Sequence, residues 1–212
     1  MKFNDLGQFF KQKKALEIGG PSALLKSFYS LLADYTVFNY EPAMSKHSQE
    51  GDYNIVTGDA TNPNIIKQLD TKFDLLITSH TLEHIANPIK ALKIWKQLLT
   101  PGGVIINIVP CKYHCWDRDR NYTTLNHIIS DYNNDTPESD MTHVDESSCM
   151  VETRPSYYSD VGACNEARII HHHVYSKSVL SEMHFFSGFT EVFVDNIEDD
   201  KLQLTYIGRN NE

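Results

Sequence analysis

Residues 14–25 read "KALEIGGPSALL": a short apolar run closes on two glycines, a proline and a serine, and a second apolar pattern then opens. The first part suits a short buried strand. From Ser22 onward, Leu24, Leu25, Phe28, Leu31 and Leu32 recur at helical spacing, which predicts a helix. A glycine turn between a strand and a helix is the place where open parallel sheets bind ligands, beyond the carboxyl ends of the strands. Gly19 and Gly20 let a backbone approach closely, and Ser22 is a helix cap by type.

Outward from this loop the same rhythm repeats. "YTVFNY" (35–40), "YNIVTG" (53–58), "FDLLIT" (73–78) and "VIINIV" (104–109) read as further strands. Helices open at Asn62-Pro63 and Asn87-Pro88, where a capping side chain precedes a proline at the first helical position. The second helix places Ile89, Leu92, Trp95 and Leu99 on one face and stops at "TPGG" (100–103). Strand and helix in alternation mean βαβ units and a parallel sheet.

The rhythm breaks over residues 110–168, which are rich in Asp, Asn, Tyr, Ser, Thr and Arg. A stretch of that length inside one domain is functional or carries small elements of its own. It reads as a substrate-side insertion in a single domain spanning 1–212. The sheet is expected to resume at "RIIHHHVYS" (168–176). A helix "KSVLSEMHFF" and two strands, "FTEVFVD" (189–195) and "LQLTYIG" (202–208), follow, with a link short enough for an antiparallel pair.

Bulk properties bound the function. The 212 residues carry 19 Lys+Arg against 28 Asp+Glu, a net charge of -9. That balance disfavours nucleic acid, whose binding depends on neutralising phosphates. No apolar stretch reaches the length of a membrane span, and the first residues lack a signal-peptide segment. Four cysteines without a secretion signal read as reduced thiols, and the expected setting is cytoplasmic.

The ligand reading rests on company. Glu41, after the second strand, is placed to accept from ribose hydroxyls. Asp59, after the third, could accept from an exocyclic amine. The loop matches neither G-x-G-x-x-G nor the phosphate loop, so a nucleoside without a pyrophosphate fits better than a dinucleotide.

"LEIGGPS", "VTGDAT" and "FDLLITSHTLEHIANPIKALKIWKQLLTPGGVIINIVP" together resemble the successive motifs of the class I S-adenosylmethionine-dependent methyltransferases. The resemblance is close over about residues 14–110 and looser over 177–208. It implies a Rossmann-like α/β fold, a seven-stranded, mostly parallel sheet with an antiparallel last strand. It implies S-adenosyl-L-methionine as cofactor, with Glu17 steadying the loop and Gly19 and Gly20 in the first motif. Pro21 and Ser22 stand where many members carry a further glycine. Glu41 would take the ribose, Asp59 and Ala60 the adenine, and Ser79 and His80 would line the pocket.

Within the insertion, "PCKYHCWDRDRNYTTLNHIISDY" and the later "RIIHHHVYS" resemble a glycan-modifying subgroup. Its matches here are Asp117, Arg118, Arg120, Thr123, His127, Asp131, His171 and His173. On a strand, His171 and His173 would share one face, giving an acid–base or metal site, or simply two structural histidines. His127 is either catalytic or a partner of Asp131 at i,i+4 spacing. Arg118 and Arg120 either clamp an anionic group such as a diphosphate or belong to a solvated loop. No metal is assigned, since the cysteines and His114 form no paired C-x-x-C set.

The expected activity is therefore methyl transfer, with the hydroxyl of a sugar or nucleotide sugar as favoured acceptor. Another small metabolite or a lipid-like acceptor, or an inactive cofactor-binding partner, are the alternatives. A homo-oligomer is compatible with all three.

Overall fold

A computed structural model describes residues 1–40, 53–143, 168 and 170–212. The seven strands are β1 (Lys14–Ile18), β2 (Asp34–Asn39), β3 (Asn54–Thr57), β4 (Phe73–Ser79), β5 (Leu99–Pro110), β6 (Phe189–Ile197) and β7 (Asp200–Asn210). They form one sheet in the order β3-β2-β1-β4-β5-β7-β6. β1 to β5 pair in parallel, and β7 runs antiparallel between β5 and β6. This is the Rossmann-like, mostly parallel α/β sheet with an antiparallel last strand. Chain order reverses between β1 and β4, so the loops leaving those two strands flank the crevice.

Side chains alternate across the sheet with period two. Leu75 and Ile77 of β4 join one apolar layer with Leu25, Phe28 and Val37; Leu76 joins the opposite layer with Leu16, Trp95 and Tyr206. Burial on both faces explains the near-continuous apolar runs that mark these strands in the sequence.

Among the described residues the α-helices, named α1 to α5, are Gly7–Phe10, Asn64–Leu69, Pro88–Lys96, Leu125–Asn133 and Lys177–Phe186. α3 starts as its sequence predicts: the Asn87 side chain accepts from the Lys90 backbone N–H, and proline follows the cap. Trp95 of α3 is fully buried and donates its indole N–H to the Ala60 carbonyl at 2.9 Å. Trp95→Ala is expected to cost about 3–5 kcal/mol of unfolding free energy, measured by denaturant titration.

Three expectations are corrected. The segment after the glycine loop is a 3-10 run, Ala23–Leu31, rather than an α-helix. Its two buried side chains, Leu25 and Phe28, lie three residues apart, the period of the tighter helix. Ser22 does not cap it through its side chain; its hydroxyl donates to Ser79 Oγ at 3.1 Å. Residues 170–176 form no strand of the sheet. They run as a segment without regular structure, with the His172 N–H donating to the Glu83 carbonyl and the Thr123 N–H to the Val174 carbonyl.

Within the polar stretch, the described residues carry short 3-10 turns at Lys112–His114 and Trp116–Asp119, followed by α4. Thr124 caps α4 by accepting from the His127 N–H. No helix of the described residues is long and apolar enough to cross a membrane.

Candidate active site

The glycine loop is fixed by a carboxylate behind it. Glu17 points from β1 with no solvent exposure. Its Oε1 accepts from the Ser22 N–H at 2.9 Å, and its Oε2 accepts from the Tyr29 hydroxyl at 2.9 Å and from the Tyr35 hydroxyl. Burial raises its pKa, against the lowering effect of these three donors. Asn39 Nδ2 clamps the Gly20 carbonyl from β2 at 2.5 Å. A Cβ at Gly20 would lie 2.4 Å from Glu17 Cδ, and one at Gly19, where φ is +82°, 2.1 Å from Thr81 Oγ1. The glycines are thus required by the packing of Glu17 and Thr81 under the loop.

Around the loop lie the other residues marked in the sequence. Pro21 follows Gly20 through a cis peptide bond. Ser79 ends β4 against Ser22, and the Ala60 carbonyl is taken by Trp95. Asp59 accepts from the Thr61 N–H and hydroxyl on Oδ1 and from Arg168 on both oxygens, at 3.0 and 2.7 Å. Burial tends to raise its pKa, but the Arg168 and Thr61 hydrogen bonds hold it below the usual range. The Arg168 guanidinium also sits 4.4 Å from the centre of the Tyr40 ring. Glu41 lies outside the described residues.

Beyond β4 and β5 opens a cleft of about 500 Å³ lined by His80, Pro110, His114, Trp116, Arg118, His171 and Gln203, among others. It brings together three residues singled out in sequence, His80, Arg118 and His171. His171 donates from Nδ1 to Asp117 Oδ2 at 2.6 Å, while Asp117 Oδ1 takes the Arg120 guanidinium at 2.7 Å. Burial pulls the His171 pKa down, but the Asp117 hydrogen bond and the nearby Glu83 charge outweigh it, and the net shift is upward. Burial likewise raises Asp117, yet His171 and Arg120 bring it below the ordinary carboxylate range.

Glu83, which nothing in the sequence singles out, stands against this dyad. It is 1% exposed, and neither carboxylate oxygen has a hydrogen-bond partner among the described residues. Its Oε1 lies 3.6 Å from His80 Nδ1 and 3.9 Å from His84 Nε2. Burial lifts its pKa to about 7. His84 gives Nδ1–H to the Ile170 carbonyl at 3.1 Å, and burial drops its pKa to about 3, so it stays neutral. The only hint in sequence is the spacing within "SHTLEH": His80 and Glu83 are three residues apart in a tight turn after a buried strand.

The remaining candidates fall elsewhere. Arg120 is 8% exposed and donates to Asp117 and to the His171 carbonyl, so it braces the dyad from behind instead of facing the cleft with Arg118. His171 and His173 do not share a face. Because the segment is not a sheet strand, His171 turns to Asp117, whereas His173 turns to the Ala86 carbonyl at 3.1 Å. His127 on α4 is away from the cleft lining; its Nε2 is 3.3 Å from Asp131 Oδ2, the i,i+4 partnership, and 3.0 Å from His143 Nε2.

The parallel sheet thus carries a braced glycine loop at its switch point, with an Asp–His pair whose histidine lines the cleft beyond β4 and β5. A family model described as a methyltransferase domain matches residues 2–179, and the chain belongs to that family. Its cofactor is S-adenosyl-L-methionine. Solved structures share the fold. The N-methyltransferase NodS from Bradyrhizobium japonicum WM9 matches with TM-score 0.51 and 13% identity over 99% of this chain and 94% of that one. Human N-acetylserotonin methyltransferase in complex with SAM matches with TM-score 0.55 and 16% identity over 99% and 51%. The CurJ carbon methyltransferase matches with TM-score 0.54 and 15% identity over 95% and 49%. The chain thus spans about half the length of the human and CurJ chains. No curated protein sequence matched.

The residues present fit this cofactor. The loop offers no cation for a pyrophosphate. Each carboxylate oxygen accepts about two hydrogen bonds; three of the four donors on Asp59 fall on Oδ1 and one on Oδ2, so Oδ2 keeps one place for an amine.

Proposed function

We propose that the protein is an S-adenosylmethionine-dependent O-methyltransferase in which His171, held by Asp117, is the general base. The bound cofactor supplies an electrophilic methyl group, and the chain supplies orientation and a proton acceptor. The carrying observation is the Asp117–His171 hydrogen bond of 2.6 Å at the edge of the cleft. Donation from Nδ1 leaves Nε2 of the neutral ring as the basic nitrogen. As the acceptor oxygen attacks, its proton passes to Nε2. The resulting imidazolium is stabilised by Asp117 and by the Glu83 carboxylate, while Arg120 keeps Asp117 ionised. His127 and His173 have no part in this step.

Gly19, Gly20, Pro21, Ser22, Asp59, Ala60, Ser79 and His80 form the cofactor side, with Glu17 as the brace. Glu41 keeps its proposed ribose role from sequence alone. The acceptor is proposed to be a sugar or nucleotide sugar. Supporting this, the cleft pairs an aromatic face, Trp116, with an exposed guanidinium, Arg118, which suit a sugar ring and an attached anionic group. The test is transfer of a labelled methyl group from S-adenosylmethionine to a panel of sugars and nucleotide sugars. O-methylated product that disappears in His171→Asn supports the reading; methylation confined to amines or carbon acids sinks it.

Arg168 gives a separate expectation. It covers the Tyr40 ring and occupies Asp59, the surfaces that an adenine would use, so it competes with the cofactor. Arg168→Ala should tighten S-adenosylhomocysteine binding about 2- to 5-fold, the worth of a partly exposed ion pair. Weaker binding in calorimetry would show Arg168 to be a cofactor ligand instead.

A further inference from the structure

Away from the cleft, α4, residue 143 and the 171–173 segment bring three imidazoles within reach of one another, with the Asp131 carboxylate beside two of them. His127 and Asp131 lie one turn apart on α4, so they share a face. His127 Nε2 is 3.0 Å from His143 Nε2 and 3.3 Å from Asp131 Oδ2, and His173 Nε2 is 3.8 Å from the same oxygen. The ligand atoms of His127, His143 and His173 all lie within 4.8 Å of one another. Ligands at about 2.0–2.1 Å from a tetrahedral zinc are about 3.3 Å apart, close to the two shortest spacings here.

Hydrogen bonding alone leaves the cluster incomplete. A proton on either facing nitrogen satisfies the His127–His143 pair. Asp131 Oδ2 remains buried and accepts no hydrogen bond from the described residues, although two imidazoles face it. A buried carboxylate oxygen turned onto imidazole nitrogens without a donor in line requires a further partner. A cation at the centre supplies it.

We propose that His127, His143, His173 and Asp131 bind one zinc(II) ion in a closed, structural site, for which the His173 ring gives up its hydrogen bond to the Ala86 carbonyl. Three imidazoles and one carboxylate are a donor set suited to zinc, and four protein ligands leave no position for substrate. The ion would tie α4 and residue 143 to the segment that carries His171. It therefore organises the wall of the active site without touching the reacting atoms. This goes beyond the methyl-transfer reading and does not depend on it.

The test uses the full chain with any histidine tag removed, its metal content measured by plasma mass spectrometry. About one zinc per chain is expected. Chelator treatment should lower the melting temperature by on the order of 5–10 °C, and zinc chloride should restore it. Asp131→Asn and His143→Ala should each cut zinc retention at least about tenfold, whereas Glu83→Gln, buried beside His80 and His84, should retain it. Less than about a tenth of an equivalent, with melting indifferent to chelator and to added zinc, overturns the proposal. So does zinc loss in Glu83→Gln with full retention in the other two variants. The wild-type melting measurements decide the matter even where a variant fails to fold.

Discussion

His171→Asn should lower kcat/KM by about 10²–10⁴-fold, the usual contribution of a positioned general base, with S-adenosylhomocysteine affinity changed by no more than about twofold. The split follows from position: His171 lines the cleft, whereas the proposed cofactor side is built on the glycine loop. The pH dependence adds a second readout. Only neutral His171 can take a proton, and its pKa lies above the usual 6.5. The rate should therefore fall as pH drops through a midpoint above 6.5, and His171→Asn should abolish that acid limb. Asp117→Asn removes the charge and weakens the hydrogen bond that raise His171, leaving burial opposed chiefly by Glu83, so the acid limb should move downward while the maximal rate also falls. An unchanged limb in Asp117→Asn would mean that another group titrates. Glu83, at about 7, is the candidate, and Glu83→Gln separates the two.

Gly20→Ala should abolish cofactor binding, weakening it by more than about 100-fold, and destabilise the fold by about 1–3 kcal/mol, the cost of overpacking. A Cβ placed 2.4 Å from Glu17 Cδ, 2.6 Å from Cγ and 2.8 Å from Oε1 forces Glu17 to move. Glu17 cannot move without losing Ser22, Tyr29 and Tyr35 as donors, and with them the shape of the loop. Gly102 is an internal control. It has φ +76° with nothing within 4 Å of where a methyl group would sit, so Gly102→Ala should cost only the left-handed strain of about 1–2 kcal/mol. Cofactor affinity should be untouched there. Equal affinities in Gly20→Ala and Gly102→Ala, measured by calorimetry, would remove the loop from the cofactor site.

The parts of this molecule that were legible in sequence are those whose signal is local. β1, β4 and β5 show as apolar runs because both faces of the sheet are covered, and α3 shows through Asn87 and Pro88 at its start. Asp117 and His171 could be marked as residues of chemical interest, yet their contact spans 54 positions and no spacing rule reaches it. His171 and His173 do not share a face as strand residues would, because residues 170–176 are held by Glu83 and Thr123 instead of a ladder. Arg120 reads in sequence as an anion clamp or as part of a solvated loop, because charge on a polar stretch looks solvated; only burial on Asp117 distinguishes it. Glu83 was missed for the same reason, since one glutamate in a turn carries no mark of being 1% exposed.

A crystal structure of the protein with S-adenosylhomocysteine tests the central claim most directly. The account predicts the nucleoside against Gly19, Gly20 and Asp59, with Arg168 displaced from Tyr40, and the thioether sulfur turned toward the cleft that holds His171. A sulfur facing away from that cleft, or a ligand bound clear of the glycine loop, would contradict it.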